Sequence, residues 1–184
     1  MPILDVPYFS QRDNANHPGG TCNVTSIAMI MAAYGIVGDG SGKQLEDQLY
    51  EYAQSKRLMI GSPYGMKKIY EWKPGFKDDF TLDNSMWIQK VKENILAGIP
   101  MTIHAQFTPA GHVIDVVGFE NNNLVCHDPN GKFSGTYGVW AELGGTSGKF
   151  VRYSYEMMDK FCNIAGTVWR HNVTRRGHTI KRLS

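Results

Sequence analysis

A thiol, an imidazole and a carboxylate occur in this sequence in settings that suit nucleophilic catalysis. Cys22 follows Gly19-Gly20-Thr21 and opens a run in which Ile27, Ile30, Met31 and Tyr34 recur until Gly35. That spacing predicts a helix with Thr21 at its N-cap and the thiol on its first turn. There the unpaired backbone N–H groups and the helix dipole favour thiolate over thiol, which lowers the expected pKa and makes the sulfur nucleophilic near neutral pH. Taken alone, the same cysteine reads as a small core residue. A thiolate also needs a base to carry its proton. His112 follows Pro109-Ala110-Gly111 at the mouth of a predicted strand, and Asp128 closes the next one, where a carboxylate could fix the imidazole tautomer. Asp115 is a reserve orienter, although its side chain should leave the face that His112 uses. The Cys22 backbone N–H and the Gln11 amide are candidate donors to an oxyanion. Gly20, Thr21 and Gly111, next to nucleophile and base, are expected to bind substrate. A lone histidine on an apolar strand is usually a core residue, and Asp128-Pro129 alone is a turn. The order Gln, Cys, His, Asp makes the set stronger than its members.

The elements around these residues predict an α+β fold, helices first and sheet second. Ile3 to Ser10 reads as an edge or extended arm because of Pro7, and it delivers Gln11 to the loop before Cys22. Ser41 is a cap for a second helix carrying Leu45, Leu49 and Tyr52. Residues 61–80 read as an aromatic-rich loop with one helical turn from Met66 to Trp72. Asp83 or Asn84 caps a third helix with Trp87, Ile88, Val91, Ile95 and Leu96 inward. From Ile99 the period changes to that of strands: Ile99–Phe107, His112–Phe119, Leu124–His127, Lys149–Tyr153 and Gly166–His171, with a short helix from Ser154 to Phe161. Residues 130–149, rich in glycine, read as a surface connection. If Asn121, Asn122 and Asn123 form a three-residue turn, His112 and Asp128 share a face but stand four residues apart along the strands, roughly 13 Å at the usual rise. Strong twist or an irregularity near Gly118 is then required to close the gap.

The 184 residues suit one domain with a sizeable core. No apolar run approaches the roughly 20 residues of a membrane span, and Met1 to Val6 lacks the basic-then-apolar pattern of a secretory signal. Synthesis in a cytoplasm is expected. Cys22, Cys126 and Cys162 form neither a metal-pair spacing nor an even disulfide set, so the thiols are expected to be reduced. A net charge of +2 gives no ground for nucleic-acid binding. The basic stretch at about 170–184 reads as a solvated tail. Asn23-Val24-Thr25 and Asn172-Val173-Thr174 match the glycosylation triplet by chance.

Val6-Pro7-Tyr8 leading to Gln11, Thr21-Cys22 with Ala28-Met29, Gly111-His112-Val113-Ile114, Gly118-Phe119 and His127-Asp128-Pro129 together form a pattern. It resembles the papain-like cysteine peptidases that process bacteriocin leaders, over roughly the whole chain to residue 130. The resemblance implies a papain-like fold, the nucleophile helix packed on a largely antiparallel sheet. It implies Cys22 as nucleophile, His112 as general base, Asp128 as its orienter and Gln11 as oxyanion donor. The family's usual Cys-Gly-Pro is Cys22-Asn23-Val24 here, and the loop between Gln11 and Cys22 is longer than usual.

Members of this kind without a transporter segment often resemble cell-wall hydrolases, including phage lysins. The expected activity is therefore cleavage of peptidoglycan stem peptides by a monomeric endolysin that reaches the wall through a separate pore. The basic C-terminal stretch would help hold it on an anionic wall. Leader removal after Gly-Gly is the alternative. Two other classes compete: an inactive binding module with the same fold, and a metal hydrolase with Cys22, His112 and Asp128 as zinc ligands. No cofactor is expected, although Asp13, Asn14 and Asn16 carry oxygens that suit calcium.

Overall fold

The buried run from Asn23 to Met31 dictates the centre of the molecule. In the computed structural model, which describes residues 2–83 and 86–183, it lies in α1 (Cys22–Ala33), whose residues Ile27, Met29, Ile30 and Met31 are fully buried. At about 1.5–3 kcal/mol per large apolar side chain removed from water, those four alone fix the helix. It ends as expected at Gly35, whose φ of 85° is open to glycine. Gly35 N–H bonds the Ala32 carbonyl and Ile36 N–H the Met31 carbonyl, a Schellman stop. The 3₁₀ turn Gln11–Asp13 precedes α1, and α2 (Leu45–Ser55) and α3 (Pro63–Tyr70) follow it.

The next elements are β1 (Phe76–Asp78), β2 (Thr81–Leu82), α4 (Trp87–Leu96), β3 (Met101–Ala105), β4 (His112–Glu120) and β5 (Asn123–His127). Then come β6 (Gly131–Phe133), β7 (Trp140–Leu143), β8 (Val151–Ser154), α5 (Tyr155–Cys162) and β9 (Trp169–Arg175). The main sheet runs β1-β9-β3-β4-β5-β8 with β2 also on β9, and its pairings are antiparallel. Helices cover both of its faces. Tyr70 of α3 bonds Thr102, whereas Asn94 of α4 meets Met101. Met101 and Thr102 are neighbours on β3 and point to opposite faces.

Several local expectations are corrected. Thr21 holds the N-cap position but does not cap, because its hydroxyl donates to the His17 carbonyl and accepts from Asn14. Gln44, not Ser41, precedes α2. The 61–80 loop contains a full helix, started by Pro63 at its first turn, and a strand. Met86, with φ 51°, stands at the α4 N-cap; Asp83 instead pairs with Lys90, and Asn84 lies outside the described residues. The 130–149 segment holds the β6–β7 hairpin. The basic stretch is no tail. Its first half is β9, inside the sheet, and Lys181, Arg182 and Leu183 pair with the N-terminal arm at Asp5, Leu4 and Ile3.

The β4–β5 ladder decides the site. Asn121 and Asn122 make a two-residue turn, with Asn121 at φ 49°. Glu120 therefore pairs with Asn123, and the register shifts between Val116 and Gly118 so that Asp115 faces His127. Val117 is the extra residue of a bulge. The N-terminal arm docks there, with Leu4 N–H on the Val117 carbonyl at 2.7 Å and Ile3 bridged to Gly118.

Candidate active site

An even turn alone would point His112 and Asp128 to opposite faces, and the Val117 bulge restores their phase. His112 Nε2 lies 2.7 Å from Asp128 Oδ1, both side chains buried. Asp128 is held on every side. Its Oδ1 also accepts the Asn130 N–H at 3.0 Å, its Oδ2 accepts the Tyr153 hydroxyl at 2.9 Å, and its carbonyl accepts Tyr8 Oη at 3.0 Å. Its own N–H bonds Gly148, where a β-carbon would lie 1.9 Å from the Asp128 carbonyl oxygen. Only glycine allows that approach.

With Nε2 taken by Asp128, Nδ1 of His112 is left for Cys22, which lies within hydrogen-bonding reach. Burial opposes charge on this imidazole, but the Asp128 carboxylate, the Cys22 sulfur and hydrogen bonds to both outweigh it and raise the His112 pKa to about 10. Phe107 stacks at 5.6 Å and Trp140 stands edge-on at 5.3 Å, closing the imidazole from water.

Cys22 is free and half-buried at the start of α1, on a cleft of about 740 Å³. Gln11, Gly20, Gly111 and His112 line the same cleft. Gln11 is buried and anchored twice: its N–H bonds the Pro129 carbonyl at 2.8 Å and its Nε2 donates to the Pro18 carbonyl at 3.0 Å. A second Nε2 hydrogen remains for an oxyanion. Thr21, expected beside Gly20 as a substrate contact, is buried behind it and spends its hydroxyl on the preceding loop.

The other candidates fall into place around this set. Asp115 lies on the opposite face and accepts from Thr102 at 2.5 Å; burial raises its pKa well above the usual carboxylate value. Cys126 and Cys162 are buried, which raises both thiol pKa values. His127 is structural: its Nε2 donates to the Val6 carbonyl at 2.9 Å, its Nδ1 accepts the Phe150 N–H at 3.1 Å, and burial lowers its pKa to about 4. Cys22, His112 and Asp128 follow one another through the imidazole rather than converging on a point. Among the described residues no three His, Cys, Asp or Glu side chains form a metal cluster. Asn14 bonds Thr21 and Thr25, and Asn16 bonds Asp47, so the loop considered for calcium is tied into α1 and α2. Tyr153 and Gly148 were not visible as site residues. Alternation along β8 would have placed Tyr153 on the inner face, but only the β5–β8 register aims it at Asp128.

Residues 3–162 match the Peptidase_C39 like family. A C39-like peptidase from Bacillus anthracis has a TM-score of 0.60 at 13% identity, over 96% of this chain and 100% of its own. A double glycine motif protease from an AMS/PCAT transporter, solved with its leader peptide, has a TM-score of 0.56 at 17% identity, over 95% of this chain and 99% of its own. No curated protein matches by sequence. The two structures share the α+β fold, and the family match spans most of the sequence. This chain belongs to the Peptidase_C39-like family, cysteine peptidases of papain-like fold.

Proposed function

We propose that the chain is a cysteine endopeptidase acting through Cys22, His112 and Asp128, with peptidoglycan stem peptides as its substrate. The observation that carries the catalytic reading is His112, held between the Asp128 carboxylate and the Cys22 sulfur on the wall of an open cleft. His112 takes the Cys22 proton on Nδ1, and the thiolate attacks the scissile carbonyl carbon. The oxyanion is met by the Cys22 N–H and the second Gln11 Nε2 hydrogen. As the tetrahedral adduct collapses, His112 gives its proton to the leaving amine, and a thioester remains on Cys22. Water then attacks the thioester and loses its proton to His112. The adduct collapses to a free carboxylate, and Cys22 is released. Asp128 holds the Nε2–H tautomer throughout.

The substrate class rests on charge. Among the described residues that line the cleft, Arg12 is the one permanently charged side chain and none carries a carboxylate, and Arg12 Nε is fixed on Asn130 Oδ1 at 2.6 Å. Stem peptides bring free carboxylates to meet that cation, whereas a Gly-Gly segment brings none. Leader cleavage is the second reading, favoured by the small residues Gly19, Gly20, Ala105, Ala110 and Gly111 along the cleft. Purified peptidoglycans and a Gly-Gly leader peptide, each treated with the wild type and with Cys22→Ala, separate these outcomes by mass spectrometry. New stem-peptide termini made only by the wild type are expected. Cleavage confined to the leader peptide would move the substrate to the second reading, and no cleavage of either would remove the peptidase reading.

A further inference from the structure

The backbone just after β5 holds three residues of the cleft, one after another. Asp128 Oδ1 lies 2.7 Å from His112 Nε2, the Pro129 carbonyl accepts the Gln11 N–H at 2.8 Å, and Asn130 Oδ1 accepts Arg12 Nε at 2.6 Å. Base, oxyanion donor and cation thus share one short anchor. Asn130 is itself buried, with its N–H on Asp128 Oδ1 and its carbonyl on the Gly144 N–H at 3.1 Å. Arg12 N–H bonds Ser10 Oγ at 3.2 Å, and a β-carbon on Gly144 would come within 3.3 Å of Arg12 Cβ. The cation is therefore held at backbone, stem and Nε. Among the described residues no carboxylate pairs with Arg12. With Nε spent on Asn130, the Nη groups of its fork remain for a ligand.

The same anchors give a bound peptide its direction. In the tetrahedral adduct the attacked carbon carries the Cys22 sulfur, an oxygen, the leaving nitrogen and the acyl chain. The oxygen meets Gln11 and the nitrogen meets His112, and both of these are held by the 128–129 backbone. The acyl chain is turned away from both. Sheet order agrees, since β3 and β9 lie on one side of β4 and β5 on the other. The cleft accordingly has one end at Ala105 and Trp169 and another at Arg12, Asn130 and Trp140, with Trp140 edge-on to His112. The acyl chain takes the first end and the leaving residue the second.

We propose that Arg12 sets specificity on the leaving-group side: its Nη groups bind a carboxylate on the residue that follows the scissile bond, with Asn130 as the positioning residue. The inference rests on the peptidase reading and deepens it, by stating on which side of the bond the carboxylate stands. A chain-terminal and a side-chain carboxylate on that residue share the required chemistry.

Synthetic stem tetrapeptides test it, made with free carboxylates, with each carboxylate amidated singly, and fully amidated. The wild type is expected to cleave the free form with a kcat/KM about tenfold above the fully amidated one, chiefly through KM. Amidation on the residue after the cut should remove that margin, and the position that does so, chain-terminal or side-chain, names the source; amidation on the acyl side should not. Arg12→Gln should equalise the two forms. Arg12→Lys, which keeps the charge but not the fork, should recover about threefold. Asn130→Ala keeps the backbone N–H on Asp128, so the preference should shrink while the alkaline limb of kcat/KM stays in place. Calorimetry on Cys22→Ala reads the same preference without turnover: the free form should bind about tenfold tighter, and equally once Arg12→Gln is added. A preference that survives Arg12→Gln, equal binding of the two forms by Cys22→Ala, or a margin set by a carboxylate on the acyl side overturns the inference. Arg12-dependent binding of the free form with no cleavage by the wild type upholds Arg12 as the carboxylate anchor and removes the peptidase reading instead.

Discussion

His112 Nε2 and Asp128 Oδ1 stand 2.7 Å apart because Val117 is one residue more than the β4–β5 ladder needs. A regular hairpin with the same two-residue turn would send them to opposite faces of the sheet.

In the proposed mechanism that contact sets the pH range of activity. The His112 pKa is raised to about 10 in the folded chain, so the imidazolium that in the proposed mechanism protonates the leaving amine persists far into alkaline solution. The alkaline limb of kcat/KM is expected near pH 10. Asp128→Asn removes a charge that favours the protonated ring, so the limb should move down toward about 6.5, the ordinary histidine value. Activity near neutrality should fall by about 10²-fold or more. An unmoved limb in that variant would exclude the role given to Asp128.

Tyr153→Phe leaves one Asp128 oxygen and the Phe133 N–H without their hydroxyl partner. Loss of a buried partner costs about 1–3 kcal/mol, measurable by urea unfolding. Activity should drop less than in Asp128→Asn, since Oδ1 still holds His112.

Gly148→Ala should be more disruptive than its size suggests. The added carbon would meet the Asp128 carbonyl oxygen and the Tyr8 hydroxyl at 1.9 and 2.7 Å, pushing the carboxylate strand off His112. Overpacking of this kind costs about 1–3 kcal/mol. Thermal scans should show a Tm lowered by several degrees, with kcat falling alongside.

Stability should fall on the acid side through His127. Its folded pKa, about 4, lies below the ordinary 6.5, so between those values the unfolded chain binds a proton that the native one does not. Stability therefore declines as pH drops through that window, by about 1.4 kcal/mol per unit for this residue. His112 has the opposite sign, and its contribution is lost as pH rises from about 6.5 to about 10. Urea midpoints across pH 4–7 should show a shallower acid decline in His127→Gln than in the wild type.

Local pattern made α1, its Gly35 stop, the central strands and the Gln11, Cys22, His112, Asp128 set legible from the sequence, because each rests on neighbours in the chain. Register was not legible. The asparagine run does not say whether Asn123 belongs to the turn or to β5; an irregularity near Gly118 is among the expectations, and the bulge lies there, bonded by the N-terminal arm. The buried basic strand was hidden for a similar reason. Arg170 and His171 read as surface charge until Asp83 and Asp78 are brought beside them across the fold. Thr21 matched a cap by type, yet Asn14 and His17 claim its hydroxyl.

The most direct test of the Cys22–His112 pair is peptide mapping by mass spectrometry after brief treatment of the reduced, folded protein with iodoacetamide at pH 7. The account predicts carboxamidomethylation at Cys22 with Cys126 and Cys162 untouched, and labelling at least tenfold slower in a folded His112→Ala variant. Equal rates with and without His112, or labelling spread over the three cysteines, would contradict it.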